Sequence, residues 1–561
     1  MSVCPALLVA SLVVAAPTST APRRQDPPPP VAPAAAASPL FSGRAARREQ
    51  FRNDKVVVAI RQGVGWLLAH QDPDGKWDAD AFMKHDAADD PCRDPGNPIH
   101  DVGVTGLALL AVLAQADTLH DEACHRAADW LVRQLDKEGR VPNASFDFLY
   151  GQAIATMALA EATALLGNSR HRRGAEAAVR YLVRHRGPDV AWRYMPREPD
   201  SDASLSSWCV AALCAAFHAG IEVPAADVGA VLAWFDVVTT ADGHCGYVAR
   251  GEPSARKPGD HGMRFPPEKG TGNTGAGLHA RLWCGTPPSD AVAQAAAQLL
   301  LVKPPSAELG AVDLYAWMHA SSAMGMTGGA SARRYEASLQ KALLSLQQTK
   351  KSAAGSWPAT DVWGEDGGRV AATALAVLAL SSPYRLVRGD AFAQVPDQVP
   401  WRRLHSLLAS DALGDAMNEL GKLAAQGPAA DAGTQQRVRW LLDVQAAHAE
   451  RQLARLDKVW PSLRERRAGL EAMQARWQSH ALADAAAKAV ARVREDPALR
   501  REDAAEKALR PLQKAFDAWR AQPSSSRQRE LRADLLAFVA KHADTEAAKQ
   551  AESLLARLGG G

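Results

Sequence analysis

Between Lys84 and Val102 the chain crowds His85, Asp86, Asp89, Asp90, Cys92, Asp94, His100 and Asp101 into one stretch. Imidazole, thiolate and carboxylate are the ligand types of zinc and similar divalent ions, so His85, Asp89, Asp90, Cys92 and His100 are the metal candidates. The plainer reading is a solvated acidic loop in which Asp101 caps the following helix. Asp202, Asp313 and Asp361 also stand just ahead of long apolar segments. A carboxyl so placed either caps a helix or, taken out of water, keeps its proton near neutral pH and serves as a general acid. With Asp101 these three form the set of candidate catalytic carboxylates. The aromatic residues Trp208, Phe217, Trp283, Tyr315 and Trp317 are the candidate cavity lining; equally, such rings can fill a core.

Self-similar segments supply the elements that would position these groups. Gly65 to Gln71, Asp129 to Gln134, Arg180 to His185 and Ala233 to Asp236 each put an aromatic and aliphatic residues on an amphipathic helix, and weaker copies follow at Gln298 to Leu301 and Ala342 to Gln348. Each is followed by a segment that is apolar nearly all round: Val104 to Leu113, Gln152 to Leu166, Ser206 to Ala219, Thr274 to Trp283, Leu314 to Met326 and Ala371 to Leu380. Helices apolar on every face are buried on every face. Six amphipathic helices alternating with six such helices predict an all-α fold, a closed (α/α)6 toroid with the apolar set as its inner ring; an open solenoid is the alternative. The long connections run from outer to inner helices. They gather at one mouth, together with the positive N-terminal ends of the inner helices.

The turns carry a resemblance. Gln71-Asp72-Pro73-Asp74-Gly75-Lys76-Trp77 and Gly355-Ser356-Trp357 after Gln347-Gln348 resemble the QW-type turn of squalene and hopene cyclases. Asp101 to Ala111 and Gly368 to Leu375 resemble the prenyltransferase and squalene-oxidase repeat. The similarity spans about residues 55 to 385 and implies the fold of the terpenoid cyclase and protein prenyltransferase superfamily. Its activities are not implied. No DxDD acid motif is present; Asp86-Ala-Ala-Asp89-Asp90 has another spacing, and Asp89-Asp90-Pro91-Cys92-Arg93-Asp94 departs from DDxxD and contains a proline. His244-Cys245 and Asp313 with His319 are only loosely like the Asp, Cys and His zinc set of protein prenyltransferases. The GCGEQ motif of thioester proteins is absent.

Lys+Arg 65 against Asp+Glu 62 leaves +3, which offers no electrostatic case for a nucleic-acid partner. Residues 1–21, with the apolar run Ala6 to Ala16, read as a signal peptide too short to span a bilayer, so the chain is expected to be exported to a periplasm or cell envelope with no transmembrane span when mature. Residues 22–50 read as a Pro/Ala-rich linker, 51–385 as the toroid, 386–400 as a second linker, and 401–561 as a helical, TPR-like or coiled-coil, interaction module for protein partners. Seven cysteines without a CxxC suggest neither a disulfide framework nor a zinc finger. No cofactor is predicted. Three functions remain: a non-catalytic or divergent scaffold binding a ligand or partner at the mouth, a divergent enzyme acting on an isoprenoid or other apolar molecule, and a purely structural envelope protein working through the C-terminal helices. Buried carboxylates around an open cavity would favour the enzyme; a filled barrel would favour the scaffold.

Overall fold

The computed structural model describes residues 38–142, 145–187, 191–387, 391–392, 395–425 and 431–559. The expected signal peptide lies outside them. Among the described residues there is no strand, only one isolated bridge between Thr239 and Cys245.

The toroid is built from α1 (Asp54–Ala69), α2 (Asp101–Leu113), α3 (Asp121–Gln134), α4 (Leu149–Leu166), α5 (Ser169–His185), α6 (Ala203–His218), α7 (Ala225–Val238), α8 (Thr274–Trp283), α9 (Ala291–Val302), α10 (Leu314–Thr327), α11 (Gly329–Leu346) and α12 (Gly364–Arg385). Odd helices are outer and even helices inner. In α3 the buried residues Ala123, Cys124, Ala127, Ala128, Trp130 and Leu131 fall on one stripe, whereas α2 is buried continuously from Gly103 to Leu113. Each inner helix packs on the next, and α12 packs back on α2, closing the ring. One described helix, α4, is long and apolar enough to cross a membrane, but its apolar window is 72% buried inside the ring.

A repeated clamp ties three of the six outer–inner pairs together. The indole of Trp77 donates to Leu67 O at 2.7 Å, that of Trp192 to Leu182 O at 2.8 Å and that of Trp357 to Leu343 O at 2.8 Å. The backbone N–H of the same tryptophans reaches a hydroxyl on the following inner helix, Thr105, Ser206 and Thr373 in turn. One indole thereby gives a second donor to a carbonyl in the last turn of the outer helix that already accepts a backbone N–H, while its own backbone docks the inner helix. The Gln71 and Gln347 amides bond the turn and the neighbouring outer helix, donating to Gly75 O and Ala123 O, and to Gly355 O and Ala59 O. Gly75 adopts φ +102°, and a Cβ there would lie 2.2 Å from Arg126 O; Gly355, at φ +95°, would meet Gln62 O at 2.5 Å. Only glycine lets these turns rest on the next outer helix.

The described part of the expected 22–50 linker is structured. Residues Pro39–Ser42 and Arg44–Gln50 form two short helices because Leu40 and Phe41 bury apolar surface and Arg44 is fully buried. Arg44 meets Glu161 at 2.7 Å, and Arg385 meets the same carboxylate at 2.5 Å. This cluster closes the toroid at the end where the inner helices finish, and their negative C-terminal dipoles favour the two guanidinium groups.

The described residues between 386 and 400 are likewise no free tether, since Leu386, Phe392 and Val395 join the toroid core. Beyond them come α13 (Arg402–Ala409), α14 (Leu413–Ala425), α15 (Ala432–Ala454), α16 (Leu463–Arg476), α17 (Ala481–Glu495), α18 (Pro497–Ala521), α19 (Ser525–Lys541) and α20 (Glu546–Gly559). Helix α15 covers α7, which explains why α7 is apolar beyond a single stripe. Trp440 stacks on Phe217 with ring centroids 4.1 Å apart and donates to Val223 O at 2.8 Å. Asp236, partly buried, accepts from Arg281, His448 and Gln452. The core is continuous as far as Leu499, and a separate small core begins at Ala505 within α18.

Candidate functional site

The inner helices begin at one end of the toroid, and there their first turns and the connections before them enclose a cavity of about 1030 Å³. Asp101, Asp313 and Asp361 line it; Asp202 does not.

Asp361 is buried and its Oδ2 accepts from Trp363 N at 3.3 Å. Burial, reinforced by the charge of Asp313, pushes its carboxyl up to about 7. Asp313 caps α10 through Ala316 N at 3.0 Å and is also raised by burial, against the opposing pull of that N–H and of Arg256. Asp202 is the N-cap of α6, its Oδ1 accepting from Leu205 N at 2.7 Å, while its buried Oδ2 has no hydrogen-bond partner among the described residues. Burial pushes this carboxyl up to about 7 as well. Asp101 is different. His100 occupies the cap of α2, and Asp101 accepts from Ala79 N and pairs with Lys76, both at 2.9 Å, so it pins the first connection as a compensated charge.

Of the expected aromatic lining, Trp208 and Tyr315 face the cavity, whereas Phe217, Trp283 and Trp317 do not. Phe217 is taken by Trp440, Trp283 stacks on His279 with centroids 5.0 Å apart, and Trp317 is buried in the core. The inner helices are buried all round, so a ring on them can face a neighbouring helix as readily as the axis. Four of the seven tyrosines line the cavity: Tyr150, Tyr194, Tyr247 and Tyr315. The Tyr194 and Tyr247 hydroxyls share a 2.7 Å hydrogen bond, and burial raises all four phenols, keeping them protonated. Arg256 and Lys257 enter from the connection ahead of α8; Lys257 pairs with Asp366 at 2.6 Å. Tyr194, Tyr247, Arg256 and Lys257 were missed because they lie on irregular connections without periodicity. The length of those connections was the one signal available.

The metal candidates are dispersed. His85 bonds Asp72 at 2.7 Å, Asp89 is exposed, Asp90 pairs with Lys351 at 3.0 Å, and His100 reaches the cavity wall. Cys92 instead meets Asp86 and His70, with one ligand atom of each within 4.8 Å of the others. His70 Nε2 and Cys92 Sγ lie 2.9 and 3.4 Å from Asp86 Oδ1. These groups satisfy one another without an ion, and burial with the Asp86 charge pushes the thiol up to about 12. In the other carboxylate group, Asp78, Asp80 and Asp101, the Lys76 ammonium already bridges Asp78 and Asp101 at 3.0 and 2.9 Å. Trp208 and Tyr315 rest on His319, which shares a 3.2 Å hydrogen bond with His279; burial lowers both imidazoles, so the groups behind this part of the cavity wall are neutral.

No family profile matches this chain. No curated protein sequence matches it significantly. Among solved structures, it is similar to a type II terpene cyclase from Scytonema in complex with merosterolic acid A, at 14% identity over 60% of this chain and 98% of the other, with a TM-score of 0.40. A variant of the same cyclase in complex with geranylgeranyl dihydroxybenzoate gives 14%, 60%, 99% and 0.39. An inactive α-1,6-mannanase variant of Salegentibacter sp. in complex with α-1,6-mannotriose gives 9%, 58%, 98% and 0.41. At these values the likeness is one of helical arrangement.

Proposed function

We propose that this chain is an exported toroid enzyme that binds an organic molecule in the mouth cavity and acts on it by acid–base chemistry, with Asp361 and Asp313 as the reacting groups. The observation that carries this reading is the burial of two carboxyls in the wall of an open cavity, with the charge of Asp313 acting on Asp361. Near neutral pH such a pair retains a proton that neither carboxyl would hold in water. Asp361 donates it, and ionised Asp313 steadies the charge that develops or accepts a proton in return. Arg256 and the positive start of α10 stabilise the ionised form of Asp313. The surrounding tyrosines supply hydroxyl donors that stay protonated through the physiological range. Residues 505–559, with a core of their own, serve as the attachment point for a protein partner in this proposal.

The test compares wild-type protein with Asp361→Asn, each incubated with a lipid and metabolite extract and followed by mass spectrometry. Wild type alone should convert a component, with a rate that changes most steeply around pH 7. No conversion above the variant would favour the second reading, a ligand-binding scaffold. One observation supports that alternative: Asp313 and Asp361 each commit an oxygen to a backbone N–H, as purely structural caps do.

A further inference from the structure

We propose that the molecule held in this cavity is an amphiphile, seated tail first along the toroid axis with an oxygen-rich head beside Asp313, Asp361 and Arg256. The inference rests on the cavity reading above and adds the class and direction of its occupant.

The argument is one of depth. All six inner helices run from the mouth inward, so position along each helix measures depth at 1.5 Å per residue. At the helix starts the polar groups Asp313, Asp361, Ser204 and Asn273 line the cavity, beside the apolar Val102 and Val104 of α2. Leu107, Ile154 and Trp208 lie five or six residues into their helices, roughly 8–9 Å down, and Ala372 and Leu375 lie beyond the kink at Gly368 in α12. Of these deeper side chains only Trp208 carries a hydrogen-bonding group, a single indole N–H. A ligand hydroxylated throughout its length would lose water there and recover almost nothing. An alkyl or alkenyl tail loses nothing and gains apolar contact. At the same depth the paired imidazoles of His319 and His279, five residues into their helices, back Trp208 and Tyr315. At the mouth, protonated carboxyl and phenol groups and Arg256 present donors to a head rich in acceptor oxygens. With the head at the level of Asp361, the bond exposed to acid is one at the head, and the far end of the tail is out of reach.

Isothermal titration calorimetry with methyl, butyl, hexyl and octyl β-glucosides, below their micelle concentrations, and with maltotriose as the tailless control, tests this on the full chain. Affinity should rise about fourfold per methylene until the tail meets the floor, with no measurable binding of methyl glucoside or maltotriose. Ile154→Ala should move the plateau to a longer chain and Ala372→Leu to a shorter one. Affinity independent of chain length in the wild type, or maltotriose binding as well as octyl glucoside, overturns the proposal whether or not the variants fold. Asp361→Asn should keep the chain-length slope. A retained slope in a protein that converts nothing leaves the amphiphile standing and removes only the acid–base reading.

Discussion

Glu161 and Arg385, 224 residues apart, meet at 2.5 Å on the floor of the toroid, both essentially excluded from solvent. Arg44 shares the same carboxylate from the opposite side in sequence. Glu161→Gln would leave two buried guanidinium groups without their counter-charge. The loss should be about 3–5 kcal/mol, read by urea denaturation at pH 7. The guanidinium charges hold the Glu161 carboxyl below its ordinary range despite burial. Its contribution is therefore present above the unfolded value, about 4.3, and disappears as pH falls through the lower folded value. Wild type and variant should converge in acid; an unchanged difference at low pH would sink the ion-pair account.

Asp361 and Asp202 give the opposite slope. Both carboxyls are raised to about 7 in the fold, so the native chain binds protons more tightly than the unfolded one. Their contribution is complete below about pH 3.9 and is lost as pH rises to about 7, after which it is flat. Relative to wild type, Asp361→Asn should become steadily more stable between pH 4 and 7. Denaturant midpoints across that range decide it, and a difference that moves the other way contradicts burial as the cause.

Ring closure can be probed at single glycines. Gly355→Ala must place a Cβ against Gln62 O at a positive φ, and a destabilisation of about 1–3 kcal/mol is expected from the overlap. Gly65, in the middle of α1, has nothing within 4 Å of the same added atom. There the change to alanine should be neutral or should stabilise by up to about 1 kcal/mol. Thermal melting of the two variants separates a packing requirement from a general cost of altering glycine.

Truncation should follow the cores. A chain ending after Glu495 loses the small terminal core and only Leu499 of the main one, so it should remain folded with a slightly lowered melting temperature. A chain ending after Arg385 uncovers the surface that Trp440, Val444 and His448 cover on α7 and Phe217, and should aggregate or lose its cooperative transition. Expression and calorimetry of both settle the matter. A soluble, cooperative toroid ending at 385 would show that α15 is an accessory.

Much of the scaffold was legible in the sequence. Amphipathic and all-apolar helices alternate six times, and a closed ring is the arrangement that buries every face of the second kind. The glycine and tryptophan turns could be read too, because local geometry demands them: a positive φ at Gly75 and an indole reaching back to Leu67 O. The candidate carboxylates were found by position, since a helix start is visible as a change from polar to apolar.

Their roles were not legible. Asp101, Asp202, Asp313 and Asp361 have the same sequence context, yet Lys76 neutralises the first, the second lies behind the cavity wall, and only the last two are open acids. Which partner a carboxyl meets depends on connections tens of residues away. The same holds for Phe217, which looks like cavity lining until Trp440 arrives from the C-terminal helices, and for the run before Pro39, whose continuation carries Arg44 into the floor. Periodicity along one helix determines that a side chain is buried. What it is buried against, and whether that neighbour leaves it a charge, a proton or an open cavity, is decided only when distant elements pack, because desolvation and Coulomb energy depend on distance in space and take no account of distance along the chain.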